Sequence, residues 1–314
     1  MENQDKVQRM IHNMEQIIVG KREALEYTLI TLLAGGHLLL EDVPGVGKTT
    51  LAKSLAQTID CGFTRIQFTP DTLPGDVTGL SIYNMQTGKF EFSRGAIMNH
   101  IILADEINRT SPKTQASLLE AMEEKQVTVD GVTYPLERPF MVIATQNPVD
   151  YLGTYNLPEA QLDRFMMKIS IGYPQAGDEK LMADRFLSNQ LGKKLEPVVD
   201  GATVLKMQQE VEQVKISQEL VSYTTKIVQE TRKDSNIQLG ASPRATLALL
   251  RAGQGLAYIL GRDYCIPDDI LRLIQPVIAH RLILSSEARL SQAKAASVLK
   301  TAVARVQIPV LAGR

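Results

Sequence analysis

Cysteine is scarce in this sequence, and no group of residues has the spacing of a metal site. The 314 residues include only two cysteines, Cys61 and Cys265, which are far apart and isolated. Two such cysteines cannot form the disulfide framework of a small secreted domain, so we expect both to be reduced and buried in a cytoplasmic protein. The four histidines show no ligand spacing, which argues against a structural zinc or a catalytic transition-metal site.

Long apolar runs and an excess of charge are also missing. No run is long enough to span a bilayer, and residues 1–20 lack the pattern of a signal peptide, so we expect no integral membrane segment. The net charge of −1 gives no overall field that would attract nucleic acid or an acidic membrane. The composition, 44% hydrophobic and 22% charged, is that of an ordinary soluble protein, and the length suggests about two domains.

The most informative stretch is residues 38–50, where an apolar run leads through a glycine-rich turn into a helix-compatible run. This order of strand, loop and helix is the context that a phosphate-binding P-loop needs. Gly45 and Gly47 let backbone N–H groups approach phosphate oxygens without a side-chain clash. Lys48 supplies a cation to the β- and γ-phosphates, and the Thr49 hydroxyl can bind Mg²⁺. The nucleotide-binding residues that we predict in this loop are Pro44, Gly45, Val46, Gly47, Lys48, Thr49 and Thr50.

Two further features bear on nucleotide binding. The usual P-loop pattern has glycine at the position of Asp42, so the Asp42 carboxylate must point away from the phosphates. Upstream, an amphipathic helical pattern over residues 5–17 breaks at Ile18, Val19 and Gly20. In P-loop ATPases the apolar residues just before the first strand commonly border the adenine, so Ile18, Val19 and Gly20 are candidate contacts to the base. Simple packing explains these residues equally well.

A second signal is a buried strand over residues 101–104 that ends in two carboxylates. Parallel strands deliver functional side chains at their carboxyl ends. Asp105 would hold Mg²⁺ there, directly or through water, and Glu106 would orient and polarise the attacking water. By themselves the two acids could equally be the start of a helix, and it is the P-loop upstream that favours the catalytic interpretation.

The next buried strand, over residues 140–145, ends close to a polar amide. If this strand lies in the same parallel sheet, the side chain of Asn147 sits beside the γ-phosphate and the attacking water. We therefore predict a catalytic role for Asn147. A last strand is predicted near residues 166–171.

Two hairpin signals interrupt the alternation of strands and helices. One surrounds Thr87 and Gly88, after a stretch at residues 70–79 that has no clear period and is predicted as a loop. The other surrounds Asp130 and Gly131, a strong turn signal between alternating residues.

After Pro174 the pattern changes from strands to helices. Spacing and capping signals predict helical stretches at residues 177–187, 202–214, 218–231, from Ser242 onwards, 268–280 with an interruption near Pro276, and 291–306. The sequence therefore predicts an α/β domain at residues 1–174, followed by a helical domain at residues 175–314.

Five motifs now occur together and in order: residues 45–49 (GVGKT), 103–109 (LADEINR), 144–148 (ATQNP), 157–165 (LPEAQLDRF) and 241–244 (ASPR). Over nearly the whole chain this set resembles the MoxR family of AAA+ ATPases. The resemblance implies an α/β P-loop ATPase core with a parallel sheet, followed by an all-helical lid. It also implies two hairpin-type inserts, at about residues 73–94 and 126–138, which in such ATPases face the pore or the substrate.

The resemblance also assigns roles to single residues in the core. Lys48 and Thr49 match the Walker A positions, and Asp105 and Glu106 match the Walker B positions. Asn147 matches the position called sensor 1. These matches imply ATP and Mg²⁺ as cofactors and an enzyme that hydrolyses ATP to ADP and phosphate.

Three arginines complete the site that the resemblance implies. Arg164 is similar to the arginine finger that reaches a neighbouring subunit's ATP, and Arg244 matches sensor 2 on the lid. Arg109 is an additional arginine at a subunit edge. For each of the three, a structural or solvated salt bridge is the alternative.

The family implies a ring, usually a hexamer, that acts as a chaperone in maturing protein complexes or in metal and cofactor insertion. Its partners are typically proteins with a von Willebrand factor A domain. A nucleic-acid motor or loader is the alternative, but the inserts carry no cluster of basic residues, and a near-neutral chain favours a protein target. A non-hydrolysing scaffold would have lost Lys48 or Glu106, and both are present.

Overall fold

The computed structural model describes residues 2–148, 154–188 and 194–309. Within these residues, five parallel strands form the central sheet, and the remaining strands form three small antiparallel pairs. The strands are β1 (Leu38–Glu41), β2 (Phe63–Gln67), β3 (Gly79–Asn84), β4 (Lys89–Arg94), β5 (Ile101–Asp105), β6 (Gln126–Val129), β7 (Val132–Pro135), β8 (Met141–Gln146), β9 (Met167–Ile169), β10 (Ile237–Leu239) and β11 (Ile283–Leu284).

The helices lie before, between and after the strands of the sheet. In chain order they are α1 (Gln4–Glu15), α2 (Arg22–Leu33), α3 (Lys48–Thr58), α4 (Pro74–Thr78), α5 (Pro112–Glu124), α6 (Glu159–Leu162), α7 (Ala176–Leu187), α8 (Gly201–Glu212), α9 (Gln218–Thr231), α10 (Pro243–Ile259), α11 (Pro267–Ile278), α12 (Ser286–Leu290) and α13 (Ala295–Ala304). Several begin at the predicted signals. Ser111 caps α5 and Ser242 caps α10, each with proline at the first helical position.

The order of strands in the sheet is β2-β5-β8-β1-β9, and every neighbouring pair is parallel. All five strands therefore end at the same edge of the sheet. The register pairs Leu40 of β1 with Thr145 of β8, and Ala104 of β5 with Ala144 of β8. The segments that follow β1, β5 and β8 thus emerge side by side, which is the arrangement that the predicted site requires.

Both faces of the sheet are covered by apolar side chains, as a parallel sheet requires. One buried cluster joins α1, α2 and α3 to one face of the sheet and continues into α8, α9, α10 and α11. A second cluster fills the other face, beneath α5. The first cluster thus crosses the boundary suggested at residue 174, and the division into two domains stays a prediction.

Three local predictions need correction. Residues 74–78, placed in a loop, form the short helix α4, which begins with Pro74 as its first residue. Pro276 does not interrupt α11, because the helix continues to Ile278 with Pro276 buried inside it. The last predicted helix begins at Ala295 rather than residue 291.

Among the described residues after 174, the elements are helices apart from one antiparallel pair of short strands, β10 and β11. Cys265 is buried as expected, whereas Cys61 is only partly buried, and both are free thiols. Burial raises the pKa of Cys61 to about 11 and that of Cys265 to about 12, so neither is a reactive thiolate at neutral pH. None of the helices within the described residues has the length and apolarity to cross a membrane.

Candidate functional site

The loop after β1 has the backbone of an open phosphate cradle. Gly45 and Gly47 adopt φ values of +88° and +93°, which glycine reaches without strain. A Cβ atom at either position would meet no heavy atom within 4 Å, so the loop faces open space. Helix α3 begins at Lys48, and its first backbone N–H groups are donors without intrahelical partners. Lys48 Nζ donates to the carbonyl oxygens of Asp42 (2.8 Å) and Val43 (3.4 Å).

Asp42 is turned away from this cradle, as its position in the pattern requires. Its buried carboxylate accepts three hydrogen bonds from the segment that follows β9: from Ser170 Oγ (2.6 Å), Ile171 N (2.6 Å) and Gly172 N (3.1 Å). Backbone and hydroxyl donors therefore satisfy this buried charge. The position that is glycine in most P-loops is here an anchor between the loop and residues 170–172.

Asp105 lies at the end of β5 with its carboxylate divided between two partners. Thr145 Oγ1 donates to Oδ1 at 2.7 Å, while Arg65 donates to Oδ2 from Nη2 (2.7 Å) and Nε (3.1 Å). Asp105 is 7% exposed. The hydroxyl of Thr49 and the carboxylate of Asp105 offer the oxygen ligands that Mg²⁺ prefers, and Mg²⁺ needs few of them because it retains waters and phosphate ligands. The residues present thus fit a bound Mg²⁺-nucleotide.

Glu106 follows in a left-handed backbone conformation, with φ of +57°. Its backbone N–H donates to Thr145 Oγ1 at 2.8 Å. Its carboxylate accepts from Gln67 Nε2 at 3.1 Å and lies 3.2 Å from Arg109 Nε. A non-glycine residue in this conformation is uncommon, and such residues concentrate at functional sites.

The sequence did not single out Arg65, Gln67 or Thr145 as site residues. Arg65 and Gln67 are two positions apart on β2, so both side chains lie on one face of the strand, and Arg65 Nη2 also donates to Gln67 Oε1 at 2.6 Å. The alternating pattern of this strand shows which residues share a face. It gives no sign that the face lies against the two acids of β5.

Asn147 is buried just past the end of β8. It lines a cavity of about 230 Å³ together with Glu41, Asn108 and Gln146, at the same edge of the sheet as the P-loop. This placement agrees with a position beside a terminal phosphate. The catalytic role of Asn147 stays a prediction.

Gly20 and its neighbour Lys21 contact the segment that follows β9. Gly20 has φ of +70°, and a Cβ atom there would lie 1.9 Å from the Asp178 carboxylate at the start of α7. The adjacent Lys21 donates to the carbonyl oxygen of Tyr173 at 2.6 Å. Asp42 contacts residues 170–172, and Asp178 lies against Gly20. The chain between residues 170 and 178 therefore connects the P-loop with Gly20. The contact of Val19 and Gly20 with a base stays a prediction.

Arg164 and Arg244 lie together, but far from the P-loop of the same chain. They line a cavity of about 240 Å³ with Gly36 and His37, which directly precede β1. The P-loop follows the other end of β1, and a strand of four residues is about 13 Å long. Neither arginine therefore reaches the nucleotide that its own P-loop would hold.

Glu123, at the end of α5, binds both of these arginines. Its Oε2 lies 3.2 Å from Arg164 Nε, and its Oε1 accepts a short hydrogen bond from Arg244 Nη2. The sequence did not predict Glu123 as a site residue, since nothing in the local pattern separates it from its neighbour Glu124.

Asp163 fixes the chain beside these arginines. It accepts from Ser242 Oγ (2.8 Å) and from Arg281 Nε (2.7 Å), and the Arg281 side chain is 3% exposed. Arg281 also donates to the carbonyl oxygen of Phe165 at 2.7 Å. Burial lowers the pKa of Arg281, whereas the Asp163 carboxylate raises it.

The two hairpins β3–β4 and β6–β7 are joined by a stacked pair of rings. Phe92 and Tyr134 lie 3.9 Å apart between ring centroids, at an angle of 12°. The first hairpin carries large apolar side chains in solvent, including Met85 at 90% and Phe90 at 72% exposure. Such exposed groups are typical of surfaces that bind another protein.

Comparisons with known proteins agree with this architecture. The family described as "ATPase family associated with various cellular activities (AAA)" matches residues 37–167, and the family described as "AAA lid domain" matches residues 229–314. The P-loop, the parallel sheet and the helical C-terminal region thus define an AAA+ ATPase.

Similar proteins narrow the class further. The protein YeaC of Bacillus subtilis is 48% identical over 96% of this chain and 94% of its own length. Chaperone MoxR1 of Mycobacterium tuberculosis is 37% identical over 96% of this chain and 82% of its own length. A crystal structure of a protein assigned as an ATPase, from Cytophaga hutchinsonii, has a TM-score of 0.92 at 39% identity and covers 98% of this chain and 96% of its own. The chain belongs to the MoxR family of AAA+ ATPases and is a nucleotide-binding enzyme that hydrolyses ATP.

Proposed function

We propose that this ATPase assembles into a ring, a hexamer in the family's usual form, and uses ATP hydrolysis to remodel or mature protein complexes, including those that receive a metal or cofactor. The observation that carries the proposal is the position of Arg164 and Arg244. Both lie at the opposite end of β1 from their own P-loop. Their guanidinium groups complete a nucleotide site only in a neighbouring copy of the chain.

Each P-loop would hold ATP through its own residues. The backbone around Gly45 and Gly47 cradles the phosphates, and Lys48 exchanges its carbonyl partners at Asp42 and Val43 for phosphate oxygens. Thr49 and Asp105 would hold Mg²⁺. That ion neutralises the charge of the β- and γ-phosphates when it is bound.

Glu106 is the residue that we propose to activate water. A carboxylate can accept a proton from the attacking water and so strengthen it as a nucleophile. Gln67 and Arg109 both contact Oε2 of this carboxylate, so these two contacts leave Oε1 for the attacking water. Asn147, at the end of the neighbouring strand β8, would orient the same water or the terminal phosphate.

The two arginines would act on the ATP of the neighbour. Hydrolysis builds charge on the γ-phosphoryl oxygens, and an arginine supplied in trans contributes roughly 10³–10⁵ in rate in other nucleotide hydrolases. The surface of one copy that carries the P-loop then meets the surface of the next copy that carries Arg164 and Arg244. A contact between two different surfaces closes into a ring when the rotation that relates neighbouring copies returns to its start after a whole number of copies.

A protein client suits the exposed hairpins better than nucleic acid does. Met85 and Phe90 offer apolar contacts, whereas the single basic residues Lys89 and Arg94 alternate with Glu91 along β4. A backbone-tracking groove needs clustered Lys and Arg. A relative of this chain bears the name Chaperone MoxR1. We therefore propose a client protein, a partner with a von Willebrand factor A domain and a cytoplasmic location, and we keep a nucleic-acid motor or loader as the alternative.

The test of the ring is complementation between two inactive variants. Lys48→Ala weakens nucleotide binding but keeps both arginines, and Arg164→Ala keeps its P-loop but lacks the arginine that reaches the neighbour. Each should hydrolyse ATP slowly alone, and a mixture should regain activity because some interfaces pair an intact P-loop with an intact Arg164. If both variants assemble and no mixing ratio restores activity, Arg164 does not act across the interface.

A further inference from the structure

Glu123 stands between the two arginines that the proposed function assigns to a neighbour's ATP. Its two carboxylate oxygens are divided, Oε2 toward Arg164 and Oε1 toward Arg244. Two guanidinium groups that share one site repel each other, and a carboxylate between them offsets that repulsion. We infer that Glu123 is a positioning residue, which holds Arg164 and Arg244 as one pair directed at the phosphate of the adjacent subunit. This inference rests on the proposed action of the arginines in trans.

The remaining contacts of the arginines support this role. Arg164 Nε is buried and makes no well-aligned hydrogen bond with any described residue, although it lies at ion-pair distance from Glu123. Arg244 is about half exposed at the start of α10. Each guanidinium therefore keeps N–H donors for a further acceptor while Glu123 restrains its position. A phosphate brought in by a neighbour is an acceptor of the right charge.

Hydrogen bonds already hold the backbone next to Arg164 and next to Arg244. The side chains of the two arginines are therefore the part that needs positioning. Asp163 and Ser242, each within two residues of one arginine, are joined by their 2.8 Å hydrogen bond. Glu123 itself lies in the last turn of α5, one of the helices that cover the sheet. The two arginines and Glu123 thus come from three separate segments that meet at the Glu123 carboxylate.

The charge around the pair is positive on balance. Lys125 and the buried Arg281 line the same cavity, and Asp163, the other carboxylate there, is already engaged by Arg281. Loss of the Glu123 charge would therefore leave the two arginines without their shared acceptor. We expect them to separate rather than to bind phosphate better.

The variant Glu123→Gln tests this inference, because the amide keeps the shape of the side chain but can accept from only one guanidinium and turns N–H donors toward the other. A preorganised donor is worth roughly 10²–10³ in rate at sites of developing charge, so we expect turnover to fall by about ten-fold or more when two such donors are misplaced. ATP affinity of the variant's own P-loop should stay unchanged. Binding of ADP with aluminium fluoride, which resembles the transferring phosphoryl group, should weaken, while binding of ADP alone should not.

Glu124→Gln is the matched control, since Glu124 is the next residue on the same helix and is exposed without a hydrogen bond or ion pair to a described residue. It should keep wild-type turnover.

Mixtures of two variants identify the side of the interface on which Glu123 acts. Glu123→Gln mixed with Lys48→Ala should regain activity, and mixed with Arg164→Ala it should not.

The possible outcomes separate this inference from the proposal beneath it. If Arg164→Ala is rescued by Lys48→Ala but Glu123→Gln is not, the arginines act in trans and Glu123 has no positioning role. If neither variant is rescued, the trans mechanism itself fails. Turnover of Glu123→Gln equal to or above wild type would show that the carboxylate restrains the arginines from phosphate instead of positioning them, and would overturn the inference.

Discussion

The hydroxyl of Ser242 donates a 2.8 Å hydrogen bond to the carboxylate of Asp163, and this single contact joins the start of α10 to the segment that carries Arg164. The other oxygen of Asp163 accepts from Arg281, whose guanidinium is buried. One carboxylate therefore holds the C-terminal helices against the sheet and sets the distance between the two arginines of the proposed interface.

Asp163→Ala should destabilise the fold strongly. Without Asp163, Arg281 becomes a buried charge with no counter-charge, and breaking such a pair costs about 3–5 kcal/mol. Denaturant unfolding followed by circular dichroism measures the loss. Ser242→Ala is the control, because it keeps the Asp163–Arg281 pair and removes only the hydrogen bond to this carboxylate and the N-cap of α10, which together should cost about 2 kcal/mol. Equal losses in the two variants would contradict the role given to the Asp163–Arg281 pair.

Lys48→Ala should lower the affinity for ATP. A hydrogen bond to a charged group is worth about 1.5–3 kcal/mol, which corresponds to roughly 10- to 100-fold in the dissociation constant. A fluorescent ATP analogue measures the change by titration. Lys53→Ala is a suitable control, because Lys53 is an exposed lysine on the same helix α3 and should leave affinity unchanged. Wild-type affinity in Lys48→Ala would remove this lysine from the site.

Glu106→Gln should bind ATP normally and hydrolyse it slowly. An amide cannot accept the proton of the attacking water, and loss of a general base costs roughly 10²–10⁴ in rate. Single-turnover hydrolysis isolates the chemical step, and equilibrium titration checks binding. The variant should accumulate as an ATP-bound assembly on size-exclusion chromatography. A chemical step as fast as wild type would exclude Glu106 as the base.

Acid should weaken the fold through His37. Its ring lies between Val142 N–H (3.0 Å from Nδ1) and the Met122 carbonyl (3.2 Å from Nε2), and burial lowers its pKa to about 4. Between the ordinary value of about 6.5 and pH 4, only the unfolded chain binds the proton, so stability falls as pH falls, by about 2 kcal/mol at pH 5.

The measurement for His37 is the free energy of unfolding at a series of pH values. His37→Gln should start less stable at pH 7, because it disturbs two buried hydrogen bonds, but it should lose less stability between pH 7 and pH 5 than wild type. His12→Gln, at an exposed histidine, should follow the wild-type slope. Parallel curves for wild type and His37→Gln would rule out this source of acid sensitivity.

The hairpins should show no appreciable affinity for nucleic acid. Fluorescence anisotropy with single-stranded and duplex DNA should give no salt-sensitive complex in the micromolar range or tighter, with or without ATP. Reversing the charge of Lys89 or Arg94 should then change nothing in that assay. A tight complex that weakens with salt would favour the nucleic-acid motor over the protein-remodeling enzyme.

The sequence was most informative where function depends on a local pattern. The P-loop, the two acids at the end of β5 and the two hairpin turns are each encoded within a few consecutive residues, and the structure has strands and helices at those places. Capping signals likewise located the starts of α5 and α10.

What the sequence did not reveal depends on contacts between distant segments. Arg65 reaches Asp105 across 40 positions, and Arg244 reaches Glu123 across 121. Glu123 and Glu124 look alike as sequence, and only the contacts of Glu123 with Arg164 and Arg244 distinguish them. The short helix α4 was missed for a related reason, because five residues are too few to show a helical period.

The stack of Phe92 on Tyr134 has a mechanical consequence. The first hairpin grows from the chain between β2 and β5, and the second from the chain between α5 and β8. The stacked rings join the two hairpins into one projection, which is attached to the ATPase core at two separate places. A load on either hairpin is passed in part to the other through this stack, which is worth about 0.5–1.5 kcal/mol. A client bound at the exposed apolar tip would therefore pull on β5 and on α5 together, and these two elements carry Asp105 and Glu123.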